Sequence, residues 1–475
     1  MIELAKEKER GKIMDIKRRK KIILKVVFIA ILFLLKLNCT EVKAFEGIPR
    51  VYFEGDISNM TEKTDERQIK LKFNSSDINF ETNAEIKIQG TSSLGYEKKN
   101  YNITLYKDDN YEDKEKVDVG QGWGEQSKYC LKANWIDKTH SRNIVSARIT
   151  AKIQNKYGLF TNTPNNGVID GFPIEIYSNN EFLGLYTWNI PKADWLWGLD
   201  EDDPNNIALV GDDWTEEVAF KKEITTFDEA KWEVEIGEEN QDTIDKFNRV
   251  INFVNNSSDE EYVRDFEQYL NKDATLNYIV MVYAMKGSDN LGKNMIMVTY
   301  DGKVWYPSLY GLDSTWGTLS DGSLSENYDY IPDDAENKLI TRTIQCFSND
   351  LAKRWFELRE DILTKDNILA EFNNFISSIP QESYQKEEER WGEIPGYGID
   401  QIEEFLDYRL EYIDNLMIEK LDNIDNKEIN NDDINNNNYN EYYKDLKTYI
   451  ISVIVIVMIV IIIKYIIVKN NKNEK

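Results

Sequence analysis

The residues best suited to chemistry lie in one stretch, 286–317, which contains Asp289, Asn294 and Asp313. Carboxylate and amide oxygens are hard ligands that suit Mg²⁺ or Mn²⁺, and such ions usually complete their shell with waters and substrate phosphates. A further carboxylate nearby can orient an attacking hydroxyl and accept its proton. The residue types therefore indicate metal-dependent chemistry, provided that the fold brings the three side chains together.

A predicted β-hairpin would bring them together. Residues 295–300 and 304–309 predict two antiparallel strands, joined by a two-residue primed turn at the Asp-Gly pair 301–302. A hairpin returns the chain to the end at which it started. Asn294, before the first strand, and Asp313, beyond the second, are therefore expected at the same end.

The order of these residues also occurs in protein kinases. There a catalytic Asp precedes a metal-binding Asn by five residues, and a second metal-binding Asp follows the next hairpin. Asp289 and Asn294 have the same separation, and Asp313 follows the predicted hairpin. This order favours phosphoryl transfer. The alternative is that Asp289 and Asn294 only cap or turn their loop, since Asp-x-x-x-x-Asn is common in so Asn-rich a chain.

The surrounding sequence predicts an α+β fold rather than a doubly wound one. Alternating or short apolar runs predict strands in the first half, at 84–89, 100–106, 174–177 and 182–188. Apolar periodicity predicts helices at 141–157, 274–285 and 399–417. The helix 274–285 is apolar nearly all round, so we expect it to be buried directly before the loop that carries Asp289.

A glycine-flanked, serine-rich connection joins the first two of these strands. Gly90 and Gly95 bracket it, and Lys98 and Lys99 follow. Backbone N–H groups of such a loop can point at an anion. An ordinary hairpin loop is the alternative, and the loop by itself favours that alternative.

The amino-terminal end predicts export. Residues 1–44 combine a long basic segment, an apolar run at 22–38 and a Val-x-Ala site before Phe45, as in a cleaved signal peptide. An uncleaved signal anchor is the alternative, because the basic segment is unusually long.

The carboxyl-terminal end predicts membrane attachment. Residues 448–468 are long and apolar enough for a transmembrane helix, and the basic tail 469–475 is expected in the cytoplasm. The Asn/Asp-rich residues 422–447 predict a flexible linker. The domain 45–421 would then lie outside the cytoplasm, on a single-pass protein of the cell membrane.

Composition excludes several classes of function. The chain has 475 residues, of which 85 are acidic and 58 basic, so the formal net charge is −27. A nucleic-acid binder needs a basic face, so the strong negative charge argues against this class. The same charge argues against direct lipid binding by the domain. The single histidine, His140, cannot form a multi-histidine metal centre.

Several motifs in order resemble the CotH kinase family, the spore-coat-type atypical kinases. The resemblance spans roughly 84–417, and its motifs are IKIQGTSSLGYEKKNYNITLY at 86–106, YCLKANWIDKTHSRN at 129–143, GLYTWNIPKADWLWG at 184–198 and the DNLGKN and GLDSTWG pair within 289–317. It implies a kinase-like domain with a strand-rich N-lobe and a helical C-lobe. It also implies transfer of the ATP γ-phosphoryl group to Ser or Thr of a protein, with Mg²⁺ or Mn²⁺.

The resemblance also implies roles for particular residues. Asp289 would be the catalytic aspartate, and Asn294 and Asp313 the metal ligands. The loop from Gly90 to Gly95, with Lys98 and Lys99, would lie over the phosphates.

Two further assignments stay open on the sequence. Either Lys99 or Lys132 would pair with the phosphates, since both lie on predicted strands. Arg142 could contact a phosphate or pair with Asp137, and the pair is preferred because an arginine at a helix start needs a compensating partner.

Other functions fit parts of the sequence. The strict protein-kinase triplets H-R-D and D-F-G and the full glycine motif are missing from it. A non-catalytic envelope or spore-coat assembly protein on the same fold is therefore the main alternative. A Ca²⁺-dependent adhesin is a further one, suggested by the acidic domain. For the enzyme, the expected partners are protein acceptors, including envelope or coat proteins.

Overall fold

The computed structural model describes residues 47–90, 92–228, 230–329 and 336–428, and from Pro49 onward these residues belong to one unit. The predicted signal peptide, transmembrane helix and cytoplasmic tail lie outside the described residues. Within the described part of the chain, no helix is both long and apolar enough to cross a membrane.

Seven strands form a closed barrel in the order β1-β2-β3-β4-β5-β7-β6. They are β1 (Arg50–Glu54), β2 (Glu66–Asn74), β3 (Asn79–Gln89), β4 (Asn100–Tyr106), β5 (Lys128–Lys132), β6 (Gly171–Ser178) and β7 (Glu181–Asn189). Only the β1–β6 pair is parallel. Alternate side chains such as Ile69, Leu71 and Phe73 fill the interior, as the period of a strand requires. Closure leaves the barrel without an open edge.

A second sheet has the antiparallel order β11-β10-β8-β9. Its strands are β8 (Ile207–Gly211), β9 (Trp232–Ile236), β10 (Met295–Thr299) and β11 (Trp305–Leu309). Met295 pairs with Leu309 and Thr299 with Trp305. The residue before β10 and the residues after β11 therefore emerge at one end of this sheet, as predicted.

Helices make up most of the carboxyl-terminal part of the described chain. They are α1 (Arg142–Lys156), α2 (Asp194–Trp197), α3 (Gln241–Asn256), α4 (Asp259–Asp265), α5 (Lys272–Met285), α6 (Lys338–Cys346), α7 (Ser348–Arg359), α8 (Lys365–Ser377), α9 (Gln381–Trp391) and α10 (Ile399–Glu428). Helix α5 is buried from Ala274 to Met285 and packs against α1, α7, α10 and β11. The prediction of a buried helix before the Asp289 loop is confirmed.

The mixed α+β class is confirmed, with a strand-rich first part and a helical later part.

The turn between β6 and β7 differs from the turn between β10 and β11. Asn179 and Asn180 both have positive φ (48° and 70°) and form a two-residue primed turn between β6 and β7. The predicted two-residue turn at 301–302 is wrong, because residues 300–304 separate β10 from β11. The Asp301 carboxylate accepts hydrogen bonds from the N–H groups of Lys303 and Val304, which stabilises this wider loop.

Helix α10 continues to Glu428 and so includes residues 422–428 of the segment predicted as a linker. The remainder of that segment lies outside the described residues.

Candidate functional site

A cleft of about 630 Å³ lies between the barrel and one end of the second sheet. Its walls include five of the residues that the sequence singled out, namely Gly90, Lys132, Asp289, Asn294 and Asp313. Residues more than two hundred positions apart along the chain thus meet at one site.

Asp289 begins a short 3₁₀ helix, Asp289–Leu291, that follows α5. One of its carboxylate oxygens accepts a hydrogen bond from Ser314 Oγ at 3.1 Å. The next residue holds the loop in place, because Asn290 Nδ2 donates to the Tyr310 carbonyl at 2.8 Å and the Asn290 carbonyl accepts from the Tyr278 hydroxyl at 2.5 Å. Asp289 is therefore fixed beside the segment that carries Asp313.

Asn294 lies directly before β10 with a positive φ of 63°, a conformation that Asn tolerates better than most residues. Its backbone N–H donates to the Gly211 carbonyl at 2.7 Å. Its side chain packs against Gly311: a Cβ added to Gly311 would lie 2.6 Å from Asn294 Nδ2. The amide of Asn294 therefore contacts the chain two residues before Asp313.

Asp313 follows β11, and the N–H of its neighbour Leu312 donates to Asn143 Oδ1 of α1 at 3.0 Å. Burial raises the pKa of the Asp313 carboxyl; Lys132 acts in the opposite direction, and the negative charge of Asp289 raises it further. A cation beside these two carboxylates would favour their charged forms.

The donor set fits a hard divalent ion. Asn294 would contribute an amide oxygen and Asp313 a carboxylate, and this pair would suit Mg²⁺ or Mn²⁺ when waters and phosphates complete the shell. Among the residues that the structure describes, no group of three or more His, Cys, Asp or Glu side chains is arranged for a metal. A site here would thus depend on the amide of Asn294 as well as on acids.

The glycine loop, defined here by Gly90 and the 3₁₀ helix Ser92–Gly95, connects β3 to β4 over the cleft. Gly90 has φ +108°, and a Cβ added there would overlap Ser93 Oγ. Gly90 and Ser93 line the cleft, whereas Gly95 is exposed and does not. Of the two predicted cofactor-binding glycines, only Gly90 therefore faces the site.

The ammonium groups of the three candidate lysines point in different directions. Lys132 lines the cleft, with its Nζ 5.2 Å from the centre of the Tyr310 ring. Lys99 Nζ donates to the backbone carbonyls of Leu94 and Tyr96, at 2.6 and 2.5 Å. These hydrogen bonds stabilise the glycine loop and the residue that follows it.

Lys98 is buried in the protein and forms an ion pair with Glu387 at 2.6 Å. The expectation that Lys98 and Lys99 extend over the phosphates is therefore wrong for both ammonium groups, because each is engaged by protein oxygens. Of these three lysines, Lys132 is the one that lines the cleft.

Arg142 does not reach the cleft. Its side chain is fully buried and pairs with Asp137 at 2.5 Å, and it also donates to Gln401 Oε1 at 2.7 Å and to the Tyr397 carbonyl. The Asp137 carboxylate also accepts a hydrogen bond from the backbone N–H of Arg142. It thereby satisfies an otherwise unpaired N–H at the start of α1 and places a negative charge at the positive end of the helix dipole. The structural pair that the sequence favoured is thus present, and the alternative placement of Arg142 as a cofactor-binding residue is corrected.

Sequence reasoning missed other cleft residues. Lys192 pairs with Glu235 at 2.9 Å, and its Nζ lies 5.4 Å from the Tyr310 ring centre on the cleft wall. Burial lowers the pKa of Lys192, but Glu235 and other groups outweigh that effect and raise it overall. The sequence WEVEI at 232–236 could have indicated this part of the cleft, because alternation places Glu233 and Glu235 on one face of a strand.

Tyr96 is a second omission. It lines the cleft, and its hydroxyl donates to the Ser320 carbonyl at 2.6 Å, which connects the chain after the glycine loop with the chain after Asp313. Burial, followed by the charges of Asp313 and Asp289, raises the pKa of Tyr96 to about 12. Its hydroxyl therefore lies near the two carboxylates.

Comparison with known proteins places the chain in a family. A search of curated proteins gave no match. A family model described as CotH kinase protein matches residues 86–413, which is most of the chain and includes every residue named above as lining the cleft. The match confirms the resemblance seen in the sequence motifs. The chain belongs to the CotH kinase protein family.

Proposed function

We propose that the protein is an ATP-dependent protein kinase that phosphorylates Ser or Thr and requires Mg²⁺ or Mn²⁺. The barrel would be the N-lobe of a two-lobed kinase-like domain, and the second sheet with its helices the C-lobe. The observation that carries the proposal is that Asp289, Asn294, Asp313, Lys132 and Gly90 line one cleft. Family membership adds support, because the matching family is described as a kinase.

Each residue has a role in this proposal. Asn294 and Asp313 would hold the ion, which neutralises charge on the triphosphate when bound. Lys132 adds a fixed positive charge to the same end of the cleft, and the glycine loop covers the phosphates. Asp289 orients the acceptor hydroxyl and takes its proton while the oxygen bonds to the γ-phosphorus and the bond to ADP breaks.

The setting of this reaction is part of the proposal. The export signal at 1–44 and the apolar segment 448–468 support a single-pass membrane protein whose domain lies outside the cytoplasm. Its acceptor would then be a protein of the envelope or coat.

Substitution of the two aspartates tests the catalytic assignment. Full-length protein in mild detergent is incubated with γ-labelled ATP and Mg²⁺ or Mn²⁺, with itself or casein as acceptor. We expect Asp289→Asn and Asp313→Asn each to lower label transfer by about a hundredfold or more, because a positioned base or a metal ligand contributes at least that much. Melting temperature should stay close to that of the wild type.

Asp321→Asn is the matched control, because Asp321 is an exposed aspartate near the same cleft. Transfer by Asp289→Asn or Asp313→Asn within threefold of the control would refute the assigned roles.

Thermal melting separates this proposal from its alternatives. A ligand that binds only the folded state raises the melting temperature, so MgATP should stabilise a kinase. Stabilisation without label transfer would identify a non-catalytic binding protein. Stabilisation by Ca²⁺ alone would identify a calcium-dependent adhesin.

A further inference from the structure

Helix α9 attaches to the barrel by an unusual contact. It packs on β7, yet its two buried side chains, Ser383 and Glu387, are polar. A surface helix ordinarily buries an apolar stripe. The position of α9 is therefore fixed by directed polar contacts as well as by its half-buried aromatic residues.

Glu387 makes the central contact. Its Oε1 lies 2.6 Å from Lys98 Nζ, and its Oε2 accepts a hydrogen bond from the Leu185 N–H at 2.7 Å. The side chains of Lys98 and Glu387 are 0% and 2% exposed. Lys98 Nζ also donates to the carbonyls of Ala133 and Leu185, at 2.8 and 2.5 Å, so its three N–H groups have three oxygen partners.

These contacts reach both sides of the proposed phosphate site. Lys98 closely follows the glycine loop, and Ala133 directly follows Lys132. Asn100 strengthens the connection, since its Oδ1 accepts from the Ala133 N–H at 2.7 Å and its Nδ2 donates to Ser93 Oγ at 3.2 Å. The ion pair therefore ties the loop above the cleft to the strand end that carries Lys132.

A gain in folding stability does not by itself explain the buried ion pair of Lys98 and Glu387. Burying two charges costs solvation, and apolar residues of similar volume often stabilise a fold as well or better. What an ion pair with directed hydrogen bonds provides in addition is one defined geometry.

We propose that Glu387, acting through Lys98, is a positioning residue for nucleotide binding. In this view α9 is a strap that holds the glycine loop and Lys132 in the arrangement that accepts the phosphates, although Glu387 does not line the cleft. The proposal rests on the proposed function, because it concerns the same nucleotide.

Calorimetric titration of full-length protein with MgATP tests the proposal. Glu387→Gln keeps the shape of the side chain and removes its charge. If the loop then holds the competent position about a tenth of the time, the nucleotide Kd rises about tenfold. Glu388→Gln, at the exposed neighbour on the same helix, should leave the Kd unchanged. A Kd for Glu387→Gln equal to that of this control, at a temperature where both are folded, would overturn the proposal.

A double variant covers the case in which Glu387→Gln does not fold. Lys98→Met with Glu387→Met removes both charges and leaves neither unpaired, so we expect it to fold. We expect its Kd for MgATP to rise about tenfold as well, since the ammonium no longer joins the carbonyls of Ala133 and Leu185. A normal melting temperature with wild-type affinity would mean that the pair is merely structural.

The two proposals can fail separately. Wild-type protein that gives no heat of binding with MgATP would remove the proposed function, and this inference with it. Wild-type binding that is lost in Asp313→Asn and retained in both strap variants would remove the inference alone.

Discussion

At the residue scale, Lys98, Lys99 and Lys132 show how position decides what one charge does. Lys98 and Lys99 closely follow the glycine loop, and Lys132 ends β5, which pairs with β4. Only Lys132 presents its ammonium group to the cleft, because Lys99 is held by loop carbonyls and Lys98 by Glu387. Lys132 is also the positive group that acts on the pKa of Asp313.

Replacement of these lysines should separate their roles. A charged hydrogen bond to phosphate contributes about 1.5–3 kcal/mol, so Lys132→Met should weaken MgATP binding roughly 10- to 100-fold. Lys99→Met should weaken binding less than Lys132→Met does, because the Lys99 ammonium does not line the cleft. Calorimetry on both variants measures the difference.

Lys138→Met is the control for a general loss of positive charge, since Lys138 is exposed and does not line the cleft. A larger loss of affinity in Lys99→Met than in Lys132→Met would reverse the assignment.

At the element scale, the glycine loop depends on the backbone of one glycine. Gly90 has φ +108° and no room for a Cβ beside Ser93, whereas Gly95 has open space around it and no such φ. The two glycines look alike in the sequence, but only the first has a conformation that disfavours a side chain.

Alanine substitution of each glycine tests this difference. Gly90→Ala should lower the free energy of unfolding by about 1–3 kcal/mol, because the residue would be strained at this φ. It should also weaken MgATP binding about tenfold, since the loop must shift. Gly95→Ala should leave both quantities within error of the wild type. Chemical denaturation and calorimetry check the pair, and equal effects of the two substitutions would show that the loop does not need this backbone shape.

At the scale of the whole molecule, the single histidine gives the fold a dependence on pH. His140 is 1% exposed, and neither of its ring nitrogens has a hydrogen-bond partner among the described residues. Burial, followed by the nearby Lys98 ammonium, lowers the pKa of His140 well below its usual value of 6.5. The folded protein therefore keeps the imidazole neutral where the unfolded chain would protonate it.

The sign of the effect follows from this difference. Well above pH 6.5 neither state carries the extra proton at His140, and as the pH falls through 6.5 only the unfolded state gains it. The free energy of unfolding should thus decrease by about 1.3 kcal/mol between pH 7 and pH 5.5 through this group. His140→Asn should abolish this part of the decrease, and Asn suits the positive φ of 56° at this position.

Urea unfolding of both proteins at pH 7 and pH 5.5 measures the contribution. Identical pH dependence in the two proteins would exclude His140 as its source. Because the chain contains no other histidine, no second imidazole complicates the comparison.

Much of the site could be predicted because most of the elements that carry its residues are neighbours in the sequence. The buried helix, the Asp289 loop, the hairpin and Asp313 follow one another within 274–313, and apolar periodicity reveals such elements. The prediction that Asn294 and Asp313 lie at the same end of the hairpin did not depend on the turn type at 301–302. A wider loop also returns the chain to that end of the sheet.

The sequence by itself determined the α+β class, the amphipathic and buried elements, and the meeting of Asn294 with the chain near Asp313, because period and hairpin geometry act over short distances. Only the tertiary structure decided which of the candidate lysines Lys98, Lys99 and Lys132 lines the cleft, that Arg142 also contacts Gln401, and that Lys98 pairs with Glu387. The physical reason is that the direction of a long charged side chain depends on partners from distant segments. Barrel closure and helix packing bring those segments together, and no local pattern records which of them will meet.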